Sequence, residues 1–287
     1  MIRKLKTKRG LQMKVVKVLS GLVMLGLTVG LVGCGAKQKS SQDDSVSKIK
    51  QQKVLTVGTS ADFAPFEFPI VKNGKKEIVG FDIMLAQKIA AQLGVKLKVV
   101  NIEFPSLISE LNNNKTDLVI SGLSKTKKRQ KAVLFSKPYY KVENVLLVKK
   151  GQENKYQTLS DLNGKQLGAQ QASTQEDLVK KQLPKANLVS EAVLTSLTTE
   201  LANGQLDGVV MESATANNYV KQFPNKYALA KVSLTDQKEV EAYSVAAKKG
   251  DQKLIKVVNK VIDQIKKDGQ DGEMLSKAQA LQAQNAQ

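Results

Sequence analysis

The sequence predicts an α/β fold of two similar lobes, and three observations predict it. Short apolar runs alternate with helix-period segments from Val54 onward, one helix–strand unit is spelled twice, and polar residues stand at the ends of comparable strands. Taken in order, Val54–Gly58 reads as a buried strand. Ala86, Ile89, Ala90 and Leu93 fall on one face of a helix that Gly94 ends, and Val95, Leu97 and Val99 alternate as a strand. Pro105 opens a helix with Leu107, Ile108 and Leu111 inward, and Leu118–Ile120 returns as a strand. The second series begins with a strand over Lys165–Ala169. Ser173-Thr174-Gln175-Glu176 then has the spacing of a capping box, and Pro184 limits the helix that follows. Glu110-Leu111…Asp117-Leu118-Val119-Ile120 is echoed by Glu200-Leu201…Asp207-Gly208-Val209-Val210. In this reading Ser121 and Glu212 lie just past the C-terminal ends of comparable strands, the edge where open α/β sheets bind ligands. Two such edges facing each other make a cleft.

The N-terminus carries a separate message. Lys14 and Lys17 precede an uncharged apolar stretch, Val18–Val32, with the layout of a secretory signal. The stretch closes with Leu31-Val32-Gly33-Cys34 and resembles the lipobox of bacterial lipoproteins, which implies cleavage before Cys34 and acylation of its thiol. Residues 1–33 are therefore expected to be a leader and Cys34 a lipid anchor. Residues 34–52, polar and poor in large apolar groups, are expected to be a flexible tether.

Composition removes several classes of function. With 287 residues the chain is long enough for about two domains. It contains no His, which excludes a Ser-His-Asp or Cys-His catalytic arrangement and zinc sites built on His and Cys ligands. Its single Cys excludes an internal disulfide. The formal charge is +19, of which seven basic residues lie in the leader, leaving +12 on the remainder. That balance favours polyanionic surfaces. The run Lys125–Arg129 lacks the interleaved aromatics of a nucleic-acid platform, so no nucleic-acid partner is expected.

Three motifs together resemble the polar amino-acid-binding proteins of ABC importers, the extracellular solute-binding family 3, over roughly residues 53–268. They are Gly58-Thr59-Ser60-Ala61-Asp62-Phe63-Ala64-Pro65-Phe66-Glu67, Gly80-Phe81-Asp82-Ile83-Met84-Leu85-Ala86, and Asp117 to Tyr140 with Ile120-Ser121-Gly122-Leu123-Ser124, Arg129 and Phe135-Ser136-Lys137-Pro138-Tyr139-Tyr140. The resemblance implies a periplasmic-binding-protein-like (type II) fold. Lobe 1 would comprise residues 53–141 and 245–287 and lobe 2 residues 146–237, with hinges near 141–145 and 238–244.

It also implies the site. Arg129, whose planar fork suits a carboxylate, would hold the ligand's acid end, with Ser121, Gly122 and Ser124 supplying hydroxyl and main-chain groups. Ser173 and Thr174 would bring helix N-terminal groups from the second lobe, and Glu212 would take the ammonium. Phe63 and Phe104 would sandwich the apolar stem, beside Ser60. Family members that take cationic amino acids often carry an acid at the position of Ser60, so Asp62 and Glu67 are the candidates to replace it. The second lobe, especially Ala214 to Lys226, looks most like arginine and lysine binders.

The expected function is capture of a free polar, arginine-like amino acid by hinged lobe closure and delivery to a membrane permease. The protein is expected to be lipid-anchored outside the cytoplasm, monomeric, without cofactor or metal, and not an enzyme. A basic cell-surface adhesin for polyanionic or matrix partners is the alternative reading.

Overall fold

The computed structural model describes residues 43–234 and 241–285. The expected leader, Cys34, the first part of the tether and positions 238–240 of the second expected hinge lie outside the described residues.

In chain order, helix α1 (Ser45–Gln52) leads into β1 (Val54–Thr59), the hairpin β2 (Phe68–Lys72)–β3 (Lys75–Val79), α2 (Phe81–Leu93) and β4 (Lys96–Asn101). A 3-10 turn (Phe104–Ser106) precedes α3 (Leu107–Asn112) and β5 (Leu118–Val119), followed by the short α4 (Lys127–Gln130), β6 (Val133–Val142) and β7 (Asn144–Lys149). Then come β8 (Gln166–Gln170), α5 (Thr174–Gln182), β9 (Asn187–Glu191), α6 (Leu194–Asn203), β10 (Gly208–Glu212), α7 (Ser213–Gln222) and β11 (Tyr227–Leu229). The chain ends in β12 (Glu241–Lys248), α8 (Gln252–Lys267) and α9 (Gln270–Asn285).

Apart from the β2–β3 hairpin, the described strands form two five-stranded sheets, in the orders β4-β1-β5-β12-β6 and β11-β7-β10-β8-β9. Each has a parallel part that runs to one edge, β4-β1-β5 and β10-β8-β9, extended on its other side by antiparallel strands. The chain leaves the first sheet at the end of β6 and enters the second at Asn144, inside the segment expected to hinge. After β11 it returns to the first sheet through β12, and α8 packs on α2 and β6. In α8, Leu254, Ile255, Val258, Val261, Ile262 and Ile265 are buried along one stripe, while lysines occupy the opposite face. Each such side chain contributes roughly 1.5–3 kcal/mol on burial, which fixes the returning segment to the first lobe.

The repeated letters have a shared structural cause. Asp117 donates its N–H to the Thr56 carbonyl at 2.8 Å, and its Oδ2 accepts from Thr56 N–H at 2.8 Å. Asp207 does the same with Gln166, at 2.8 and 3.0 Å. In each lobe the aspartate adds one side-chain rung to the parallel ladder. That fixes the register of the strand whose far end opens on the cleft.

Three expectations need correction. Residues 45–52, assigned to the flexible tether, form α1, because Val46 and Ile49 share one helical face and Ile49 is only 2% exposed against the core. Asp43 secures its start by accepting from Ser45 N–H and from Lys253 N–H at the head of α8. The capping box at α5 is not reciprocal: Ser173 Oγ accepts from Glu176 N–H at 3.0 Å, but Glu176 Oε2 accepts from Ala172 N–H at 2.8 Å. The left-handed Ala172 (φ 61°) precedes the cap, and Ser173 N–H goes instead to the Gln170 carbonyl. Finally, Glu212 is the last residue of β10 and the cap position of α7 rather than a residue beyond the strand.

Candidate functional site between the lobes

The turn after β1 builds one wall. Ser60 N–H donates to Ser121 Oγ at 2.9 Å, tying this turn to the segment after β5. Phe63 stacks on Phe66 with ring centroids 5.7 Å apart, and its edge meets Tyr243. Gly122 (φ +50°) lies under Phe63, where a Cβ would sit 2.8 Å from the ring, so any added methyl must displace it. Its N–H is committed to Asp82 Oδ2 at 2.8 Å, so contact with a ligand falls to its carbonyl and Cα rather than its amide. Ser124 Oγ is buried and has no hydrogen-bond partner among the described residues.

Arg129 is held at the lobe boundary. Thr126 caps α4 by accepting from Arg129 N–H at 3.1 Å. The guanidinium donates from Nη1 to the Ser124 carbonyl and from Nη2 to the Ala172 carbonyl, both at 2.8 Å, and Cζ lies 5.5 Å from the centre of the Phe104 ring. Its cationic head is thus shared between lobe 1, lobe 2 and an aromatic face.

Lobe 2 contributes strand ends and a helix start. Gln170 closes β8, Ser173 and Thr174 open α5, and Glu212, 6% exposed, closes β10. Gln175 is held by its Nε2 donating to Asn144 Oδ1 at 2.7 Å. Across the boundary Asp62 Oδ2 accepts from Leu194 N–H at 2.6 Å and from Gln170 Nε2 at 3.2 Å, while Oδ1 accepts from Ser60 Oγ at 3.1 Å. Burial pushes the Asp62 carboxyl above its ordinary range, although these bonds oppose the rise. Burial, and next the charge of Asp82, push Glu67 much further in the same direction.

These groups, from both lobes, line one narrow cleft. A cation, carboxylates, hydroxyls and two phenyl rings lining one cleft suit a zwitterion with an extended side chain. Residues 55–278 match the bacterial extracellular solute-binding proteins, family 3.

The chain belongs to that family.

Arginine-binding extracellular protein ArtP of Bacillus subtilis (strain 168) is 33% identical to this solute-binding protein over 251 residues, 87% of this chain and 92% of that one. A probable histidine-binding protein of Campylobacter jejuni is 31% identical over 255 residues, 88% of this chain and 94% of that one. Among solved structures, the amino acid ABC transporter substrate-binding protein AbpA of Streptococcus pneumoniae, bound to L-arginine, superposes with a TM-score of 0.79 at 38% identity. The match covers 82% of this chain and 98% of that one.

All ten residues singled out for ligand contact line this same cleft of the family member: Ser60, Phe63, Phe104, Ser121, Gly122, Ser124, Arg129, Ser173, Thr174 and Glu212. Asp62 and Glu67, named only as substitutes for the missing acid at Ser60, line it as well. Gln170 and Gln175 were not anticipated. Gln170 ends a strand at the same sheet edge that drew attention to Glu212, and Gln175 follows Thr174 in the first turn of α5. Among the described residues no helix is long and apolar enough to cross a membrane, and no cluster of His, Cys, Asp and Glu could hold a metal ion.

Proposed function

We propose that this solute-binding protein captures a polar amino acid, arginine by preference, outside the cytoplasm and presents it unchanged to an ABC importer. The observation that carries the reading is the cleft itself, where residues from both lobes converge with Arg129 at the boundary. The ligand carboxylate meets Arg129 and Ser124 Oγ, its ammonium meets Glu212, and its stem lies against Phe63 and Phe104. Asp62 supplies the negative potential that the Ser60 position lacks. The arginine-related names among its relatives, and the arginine in the structure of one of them, support the choice of ligand.

Closure follows from where the contacts sit. The Phe104 and Ser121–Arg129 groups belong to lobe 1, Thr174 and Glu212 to lobe 2, so a ligand touching both stabilises the closed form over the open one. The crossings at 141–145 and 238–244 serve as hinges. Cys34 carries the lipid that keeps this monomeric receptor beside its permease, a role supported by the Leu31–Cys34 motif at the end of an apolar stretch.

Calorimetric titration of the purified protein with the twenty amino acids, ornithine and citrulline tests the reading. Arginine is expected to bind most tightly and to be recovered unmodified. No heat with any of them would sink the receptor function. For the anchor, Cys34→Ser is expected to move the protein from the membrane fraction to the medium.

A further inference from the structure

At the cleft floor Glu67, which lines it, adjoins Asp82 behind it; both carboxyl groups are 0% exposed, and ligand capture gives neither a role. The backbone brings them together. Phe81 N–H donates to the Pro65 carbonyl at 3.1 Å and Asp82 N–H to the Phe66 carbonyl at 2.9 Å, locking the Pro65–Glu67 turn onto the start of α2. Gly80 (φ +131°) permits that approach, since a Cβ there would fall 2.1 Å from the Phe66 oxygen. Each carboxyl group acts on the other as a side-chain hydrogen-bond neighbour.

We propose that Glu67 and Asp82 share one proton and act as positioning residues that hold Ser121 and Gly122 in the arrangement the ligand meets. The positioning role rests on the amino-acid-receptor reading; the shared proton does not.

The inventory of donors and acceptors argues for it. Glu67 Oε1 accepts from Ser121 Oγ–H at 2.8 Å. Asp82 Oδ2 accepts from Gly122 N–H and from Tyr139 O–H, both at 2.8 Å. That leaves Glu67 Oε2 and Asp82 Oδ1 buried with no hydrogen-bond donor among the described residues. Two ionised carboxylates side by side in an apolar interior repel, and each would keep an unsatisfied oxygen. One proton on Glu67 Oε2, donated to Asp82 Oδ1, satisfies both atoms and removes one charge. The remaining charge belongs on Asp82, where the Gly122 and Tyr139 donors stabilise it. The carboxyl ranges agree, since burial and the neighbouring Asp82 raise Glu67 furthest. The titratable groups facing the pair are Asp62, Tyr139 and Tyr243, with Glu212 acting on Tyr243 in turn.

The consequence reaches the cleft through Ser121. Its hydroxyl hydrogen goes to Glu67 and one lone pair takes Ser60 N–H, so Ser121 can show a ligand only an acceptor. It therefore faces an N–H donor such as an ammonium rather than a carboxylate. Gly122, tied to Asp82, is kept in the left-handed turn that seats Phe63. Loss of the shared proton would put a second charge at Glu67 and release both.

Infrared spectroscopy of the full-length protein in heavy water tests this. At about neutral pH exposed carboxyls are ionised, so the carbonyl stretch of a protonated carboxylic acid should be visible against little background, and Glu67→Gln should remove it. Glu67→Gln keeps a donor for Asp82 and an acceptor for Ser121, so its arginine affinity should stay within about threefold of the parent. Glu67→Ala, checked for folding by circular dichroism, should bind at least about tenfold more weakly, since it strips a hydrogen bond and leaves Asp82 charged and unshared. As pH rises, the band and arginine affinity of the parent should decline together. No band in the parent overturns the proposal whatever arginine does. A band that titrates away while affinity holds, or a Glu67→Ala variant that binds like the parent, overturns the positioning role. A band without any amino-acid binding would instead sink the receptor reading.

Discussion

Asp62 offers the sharpest test of how the lobes stay closed. Its Oδ2 receives two donors from lobe 2, Leu194 N–H at 2.6 Å and Gln170 Nε2 at 3.2 Å, and neither depends on a ligand. A hydrogen bond to a charged group contributes roughly 1.5–3 kcal/mol net. Two of them would set an upper bound of about twice that, but the carboxylate is also poorly solvated, as its raised carboxyl range records. The remaining Arg129 bond to the Ala172 carbonyl still spans the boundary. Asp62→Ala is therefore expected to remove about 1–3 kcal/mol of closing free energy, a factor of about 5–150. The loss should appear mainly as faster dissociation in stopped-flow traces, because association rates vary less among variants of one site. Small-angle scattering of the ligand-free variant should show a more open particle. Arginine and its neutral isostere citrulline should both be weakened, since the clamp holds protein to protein, and arginine somewhat more, since Asp62 also supplies negative potential. An unchanged dissociation rate would refute the clamp, and a loss confined to arginine would make Asp62 a direct partner of the ligand's cation instead.

Arg129→Lys is expected to weaken arginine binding by roughly 2–4 kcal/mol in calorimetry, because an ammonium cannot reproduce the fork that reaches Ser124, Ala172 and a ligand carboxylate together. Its unfolding midpoint should change little. Ile49→Ala should destabilise the fold by about 2–4 kcal/mol in urea titration if α1 is docked as described, and by almost nothing if residues 45–52 are a free tether. Gly122→Ala should weaken binding without unfolding the protein, since the new methyl must displace the Phe63 ring; unaltered affinity would show that the ring's position does not matter. Glu67 also predicts a pH slope. A carboxyl raised in the folded state holds its proton where the unfolded chain has released it, so stability falls as pH climbs from the ordinary carboxyl range toward the raised one. Relative to Glu67→Gln, the parent should lose about 1.4 kcal/mol per pH unit across that window in chemical denaturation, and parallel curves would contradict it.

Most of the fold was legible because each element states its own burial. The stripe Ala86–Leu93 is a helix face, and β1, β5, β8 and β10 are apolar runs that both faces bury. The site residues were legible for a different reason. They cluster at strand ends and in three local motifs, and the repeated Asp117 and Asp207 units put two such ends in equivalent places. Helix α1 escaped notice because two apolar residues in a polar stretch give too little period to read, and its stability comes from α8, some two hundred residues later.

What sequence could not supply is which edges face each other. Asp62 meets Gln170 across 108 positions and Leu194 across 132, and no local pattern in any of the three foretells the meeting. Asp62 and Glu67 looked interchangeable as replacements for the acid missing at Ser60. The fold separates them: Asp62 turns outward to the other lobe, while Glu67 turns under the floor toward Asp82. One acid therefore bears on closure and the other on the shape of the surface that closes. The same short turn can do both because Gly80 lets it lie directly against the start of α2, which takes Glu67 inward and leaves Asp62 at the rim.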